Sequence, residues 1–225
     1  GTTGTPKGAM ISYRSLLFNT MTAILTFNLS QSDSTYTMIP LFHTAGWFVF
    51  TLPLLRVGGR VIITNKCEPK VVLKIFNDEK PTVLLSISTI YRMLINDLSS
   101  FRWMISGAAP TSIDIMERFW EKGVKFACAY GLTEAGPNNL TVLADDMHLE
   151  EIKEKYNSVG KPFYFTKAKI VDEEGNEVGA NQRGELIWSS PAIFSGYWNN
   201  ERETSEVLVD GWVHTGDIAK KDKDG

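Results

Sequence analysis

The sequence predicts an α/β fold, with parallel sheets flanked by helices, followed by a β-rich subdomain. Two observations carry this. Short apolar runs alternate with amphipathic helical runs over the first two-thirds of the chain, which implies right-handed crossovers and mostly parallel strands. After about Ser158 the texture changes to strands joined by glycine turns. The division falls at 1–157, an α/β core, and 158–225, the β-rich part.

The elements follow in order. Ser12 can cap a helix carrying Leu16, Leu17, Met21, Ile24 and Leu25 at helical spacing. "TYTMIP" is a strand that Pro40 ends, and an apolar helix runs from about Trp47 to Gly58-Gly59. "RVIIT" is a strand, and Pro69 opens a helix over PKVVLKIFNDEK. "TVLLSI" is a strand and its following helix passes through Ile90 and Leu94. "RWMIS", "SIDIMERFWEK" and "VKFACA" read as strand, helix and strand. HLEEIKEKYN, residues 148–157, reads as a charged, solvated connector. "KAKIVDEEGNEVG" is strand, acidic turn, strand; "RGELIWSS" is another strand, and "GWVHTGDIAKKDKDG" holds one or two more.

Composition narrows the function classes. Hydrophobic content of 43% and charged content of 22% are globular values and exclude disorder or a fibre. A net charge of −3 gives no global reason to expect nucleic acid, and no oligomeric state is implied. Cys67 and Cys128 lack metal-ligand spacing and read as reduced thiols of a cytoplasmic protein. The most apolar stretch, Gly46 to Leu55, contains Pro53 and is far shorter than the about 20 residues a membrane span needs. No transmembrane segment or signal peptide is expected. The chain opens inside a glycine-rich loop and stops at a turn signal, so both parts are expected to be incomplete, the first at its N-terminus and the second at its C-terminus.

In open α/β sheets, ligands bind outside the carboxyl ends of the strands. The segments at those ends here are "PLFHTAG", "STIYR", "SGAAP" and "YGLTEAG", and they should share one edge. The opening "GTTGTPKG" offers backbone amides, threonine hydroxyls and the Lys7 charge to phosphate oxygens. It is not the phosphate loop of the NTPases: Pro6 removes an amide, and Gly8 stands where that loop has its metal-binding hydroxyl. Any metal ligand must come from elsewhere, and Glu134 is a carboxylate on a predicted site loop. Thr133 can donate to phosphate, Tyr130 offers a flat face to a purine, and Asp217 can accept from ribose hydroxyls. Each residue taken singly has a plainer reading. Tyr130 could simply pack, Asp217 could form a turn with Gly216, Glu134 could be a first-turn helix charge, and His43 could be a structural histidine.

The ordered set "GTTGTPKG", "PLFH", "SGAAP", "YGLTE" and "GYWNNERETSEVLVDGWVHTGD" resembles the adenylate-forming enzymes over nearly the whole chain. The resemblance implies the N-terminal domain of that family, ending in a barrel-like β subdomain. It implies that Thr2, Thr3, Gly4, Thr5 and Lys7 handle the β- and γ-phosphates of ATP, and that Glu134 binds Mg²⁺. Thr133 would contact phosphate, and Tyr130 would stack on adenine. Gly107, Ala108, Ala109 and Gly131 would lie at the nucleotide, and Asp217 would hold the ribose. His43 would stand between the acyl pocket and the thiol path, with Trp47 beside the acyl tail. The catalytic set would be Lys7, His43, Thr133 and Glu134. The family reaction joins a carboxylic acid to AMP, releases pyrophosphate, then transfers the acyl group to a thiol, usually that of coenzyme A. "PLFHTAGW" looks like the acyl- or aryl-CoA ligase branch, and fatty or aryl acids are the expected substrates. Peptide-synthetase domains, luciferase-like enzymes and a catalytically silent nucleotide-binding module are the alternatives. Against the family, the chain lacks the flanking segments, including the mobile lysine domain, and is expected to be inactive alone. Its run "YRMLINDLSSFRW" is also shorter than usual.

Overall fold

The computed structural model describes residues 6–64, 68–93, 98–107, 111–142 and 148–225. Leu94 and Cys67, named above, lie outside them. The chain runs α1 (Tyr13–Phe27), β1 (Ser34–Tyr36), α2 (Thr44–Phe48), α3 (Thr51–Val57), β2 (Arg60–Ile62), α4 (Pro69–Glu79), β3 (Val83–Ser86), α5 (Ser88–Met93), β4 (Trp103–Ser106), α6 (Ile113–Trp120) and β5 (Lys125–Tyr130). It continues through β6 (Leu140–Thr141), α7 (Leu149–Glu154), β7 (Lys161–Pro162), β8 (Lys167–Val171), β9 (Gly184–Ser189), α8 (Glu201–Val207), β10 (Leu208–Val209) and β11 (Trp212–Ala219). The first sheet has the order β2-β1-β3-β4-β5-β6-β7 among the described residues. Its first five strands are parallel, with Val83 opposite Trp103 and Met104 opposite Phe126, while β6 and β7 join antiparallel. The second sheet, β10-β11-β9-β8, is antiparallel throughout.

Local chemistry sets the boundaries. The Ser12 hydroxyl accepts from the Ser15 amide at 3.1 Å and starts α1. Asn28, at φ +45°, ends it with its amide on the Ile24 and Leu25 carbonyls. The single helix expected from Trp47 to Gly58 is two, α2 and α3. Pro53 cannot donate to the Val49 carbonyl and its ring would clash there, so a continuous helix is blocked. Thr51 fills the break by donating to the Gly46 carbonyl at 2.6 Å. The charged connector is helical as α7, but it is not solvated all round: Ile152 is buried in the main core. The second strand expected after the acidic turn shrinks to one bridge between Val171 and Glu177.

The main core lies between the parallel sheet and its helices, where Leu84, Met104, Ile105 and Phe126 are fully buried. Both faces of these strands are covered, which is why they read as continuous apolar runs. Tyr91 packs edge-on against Phe126, ring centroids 4.7 Å apart, and its hydroxyl accepts from the Ser86 amide and donates to the Ile105 carbonyl. A second core under the antiparallel sheet holds Trp188, Val213, Phe194, Ile170 and Leu186, together with Ala135 and Leu140.

A buried charge locks the lower end of the sheet. Asp33, only 3% exposed, accepts from Arg102 Nη2 at 2.8 Å and Nε at 3.1 Å, and from the Thr82 hydroxyl at 2.8 Å. Burial alone would raise its pKa. Arg102, the Ser30 amide and the Thr82 hydroxyl outweigh burial and hold the carboxyl below its ordinary value. Its stabilisation is therefore complete above the unfolded carboxylate value, near 4, and is lost as pH falls through the lower folded value. Asp33→Asn is expected to cost about 2 kcal/mol at pH 7. The gap from the unmodified protein should narrow below about pH 4, and urea midpoints at pH 7 and pH 3 check this.

Candidate active site

A cleft of about 1030 Å³ opens at the carboxyl edge of the parallel strands and is closed on its far side by β11. Segments following β1, β3, β4 and β5 all line it: Pro40, Phe42 and His43, Ile87, Gly107, and Gly131 to Glu134. The topology places them there because all four strands point the same way. Thr2, Thr3, Gly4, Thr5, Ala108 and Ala109 lie outside the described residues.

His43 caps α2. The Ala45 amide donates to His43 Nδ1 at 3.1 Å, so in the neutral ring the hydrogen sits on Nε2. Trp47, one turn on, is 38% exposed and does not line the cleft. At Gly107, an added Cβ would meet nothing nearer than Leu85 Cδ1 at 3.6 Å. The protein's own packing does not require glycine here, and the bare backbone leaves its space to the cleft.

The loop from Tyr130 to Leu140 is tightly braced. A Cβ on Gly131 would lie 1.9 Å from the Pro137 carbonyl oxygen, so only glycine fits. Asn139, 1% exposed, accepts from the Leu132 amide at 3.0 Å and donates to the Ala135 carbonyl at 2.8 Å, closing the loop on itself. Thr133 Oγ1 lies 3.2 Å from Thr44 Oγ1. Glu134 sits in a turn rather than a helix. Its carbonyl accepts from the Phe194 amide at 2.8 Å, and its Oε1 accepts from the Tyr197 hydroxyl at 2.6 Å. Burial first, then the Glu134 carboxylate, pushes the Tyr197 phenol upward, so it remains a donor.

Tyr130 stacks on Trp188, ring centroids 5.9 Å apart, and its hydroxyl donates to Asp217. Burial and that carboxylate likewise raise its pKa. Asp217 stands on a bulge in β11, where the register shifts between His214 and Ile218 and Gly216 takes φ +73°. Glu185 holds the bulge: Oε1 accepts from the Gly216 amide at 2.9 Å, and Oε2 lies 2.8 Å from His214 Nδ1. Lys7 lines the cleft with its ammonium 2.5 Å from Glu203 Oε2 and 5.2 Å from the Tyr197 ring centre.

Lys7, His43, Gly107, Tyr130, Gly131, Thr133, Glu134 and Asp217 therefore share one cleft. Sequence reasoning missed Asn139, Tyr197 and Glu185. The doubled asparagine in "GPNNL", directly after an apolar-flanked loop, was the available sign of a buried amide brace. Among the described residues there is no group of three or more His, Cys, Asp or Glu that could hold a metal. A lone carboxylate nevertheless suits Mg²⁺, which keeps several waters and binds through one or two carboxylates plus substrate phosphates.

A largely parallel sheet whose carboxyl-edge loops face a second sheet across a cleft is the arrangement in which open α/β folds bind their ligands. The chain belongs to the AMP-binding enzyme family, whose model matches residues 1–198. It is 35% identical, over an alignment of 232 residues, to a feruloyl-CoA synthase of Amycolatopsis sp, covering all of this chain and 46% of that protein. It is also 35% identical, over 239 residues, to a long-chain-fatty-acid–CoA ligase of Bacillus subtilis (strain 168), covering 100% of this chain and 41% of that one. Among solved structures, o-succinylbenzoate CoA synthetase from Bacillus subtilis, in complex with ATP and magnesium ion, matches with a TM-score of 0.90 and 26% identity, covering 100% of this chain and 47% of that one. The chain thus spans about half the length of the relatives it matches.

Proposed function

We propose that the protein carrying this chain activates a carboxylic acid, of the fatty or aryl class, with ATP. A carboxylate oxygen attacks the α-phosphorus, the bond to the β-phosphate oxygen breaks, and acyl-adenylate and pyrophosphate form. The coenzyme A thiol then displaces AMP to give the thioester. The observation that carries this reading is the convergence of Lys7, Tyr130, Thr133, Glu134 and Asp217 on one cleft. In it, Lys7 and Thr133 hold phosphate oxygens, Asp217 holds the ribose, Tyr130 faces the base, and Gly107 and Gly131 leave room for the nucleotide. The resemblance assigns phosphate contacts to Thr2, Thr3, Gly4 and Thr5, and nucleotide contacts to Ala108 and Ala109. His43 presents Nε2 where acid and thiol meet. Glu134 would hold Mg²⁺, which when bound would supply positive charge to the phosphates. Such a site works by positioning and charge complementarity. The similarity to a feruloyl-CoA synthase and a long-chain-fatty-acid–CoA ligase supports the acid class and the acceptor.

The test is pyrophosphate release by the full-length protein with MgATP and a panel of acids, with thioester detected by mass spectrometry. Release is expected only with a fatty or aryl acid, and thioester only with coenzyme A. Turnover confined to amino acids would instead favour a peptide-synthetase activity. ATP binding with no adenylate from any acid would leave a silent nucleotide-binding module.

A further inference from the structure

We propose that Tyr197 is a positioning residue for Glu134: its hydroxyl commits one carboxylate oxygen and leaves the other as the oxygen available to a cation. This rests on the reading of Glu134 as the Mg²⁺ ligand. The geometry is one-directional. A phenol donates, an ionised carboxylate only accepts, and Tyr197 Oη lies 2.6 Å from Glu134 Oε1. Among the described residues, no hydrogen bond reaches Oε2.

Tyr197 is itself held on several sides. Its amide donates to Thr204 Oγ1 at 2.8 Å, and its ring meets Phe194 edge-on at 5.0 Å. At the preceding Gly196, with φ +126°, an added Cβ would come within 2.7 Å of Thr204 Cγ2, so the chain closes tightly around this turn. The segment is also laced to the opening loop. Ala9 bridges Tyr197, the Met10 amide donates to the Gly196 carbonyl at 2.9 Å, and the Trp198 amide donates to the Gly8 carbonyl at 2.7 Å. The Lys7 ammonium rests over the same Tyr197 ring. One side chain therefore fixes the Glu134 carboxylate in register with the loop assigned to the phosphates. A ligating carboxylate held in this way keeps its orientation before the cation arrives.

The test compares the dissociation constant of ATP with Mg²⁺ and with EDTA, by calorimetry on the full-length protein. The ratio of the two constants isolates the contribution of the cation. Tyr197→Phe keeps the ring for Phe194 and Lys7, and it is expected to shrink that ratio about tenfold while the metal-free constant stays unchanged. Glu134→Gln should abolish the ratio. A purely structural tyrosine would weaken both constants together or lower only the melting temperature, and either result overturns the proposal, as does an unchanged ratio. Should Tyr197→Phe not fold, Tyr197→Met, which also lacks the donor but loses the ring under Lys7, is read on the ratio alone: a smaller ratio supports the proposal and an unchanged one overturns it. If Glu134→Gln keeps the normal ratio, the metal assignment falls and this proposal with it. If the ratio responds as expected but no acid is adenylated, the proposal stands and only the reading of the overall reaction fails.

Discussion

Glu134→Gln, made in the full-length protein, is expected to slow pyrophosphate release by about 10²–10³-fold, or about 3–4 kcal/mol of barrier. The amide has nearly the shape of the carboxylate, and its oxygen can still accept from Tyr197. Its charge is gone, so on the proposed reading a cation chelated by the phosphates would lose the carboxylate assigned to it. Glu134 is half-buried in a turn, and the Phe194 amide bonds its backbone carbonyl rather than its side chain. The melting temperature should therefore move by no more than about 2 °C. Pyrophosphate release at saturating Mg²⁺, with thermal unfolding in parallel, measures both. Unchanged turnover would remove Glu134 from the metal site.

Gly131→Ala should damage stability and activity together. Its Cβ would fall 1.9 Å from the Pro137 oxygen and 2.5 Å from the Pro137 carbonyl carbon. These are backbone atoms, so relief requires the loop itself to move. The loop is closed by Asn139, and shifting Pro137 drags Thr133 and Glu134 with it. A loss of about 2–3 kcal/mol is expected, with adenylation falling about 100-fold. Gly175→Ala is the control. That glycine turns at φ +83° with nothing within 4 Å of a new Cβ, so it should cost about 1 kcal/mol and leave turnover intact. Urea unfolding and pyrophosphate release, run on both variants, distinguish a collision at the site from ordinary backbone strain. Equal effects in the two would contradict the collision.

The strands around TVLLSI, RWMI and VKFACA were legible because a parallel strand buried on both faces leaves an uninterrupted apolar run. The loops after them were legible as a site because topology, not side-chain contact, brings them to one edge. Other elements left no periodic signal. β6 and β7 have two residues each, too short for any alternation. Helix α8 buries none of its residues, so it has no apolar stripe to reveal it, and its start rests on the Asn200 side chain accepting from the Glu203 amide at 3.2 Å. Within the site, Tyr130 and Asp217 were chosen on chemical type. Their direct hydrogen bond is a tertiary fact that no local pattern encodes. The same holds for Tyr197 on Glu134 and for Glu185 behind the Asp217 bulge.

The Glu134 loop follows β5 of the parallel sheet directly, yet Ala135 and Leu140 pack with Ile170, Leu186, Trp188 and Val213 of the second core. On a ribosome this imposes an order of assembly. Strands β1 to β5 can pair as soon as they emerge, while the loop after them still has no apolar backing. That backing arrives with β9 and β11, the latter roughly 80 residues later, on the order of ten seconds of synthesis. The cleft is therefore the late product of a vectorial process, and the Glu134 loop meets its apolar backing only once the antiparallel sheet has formed.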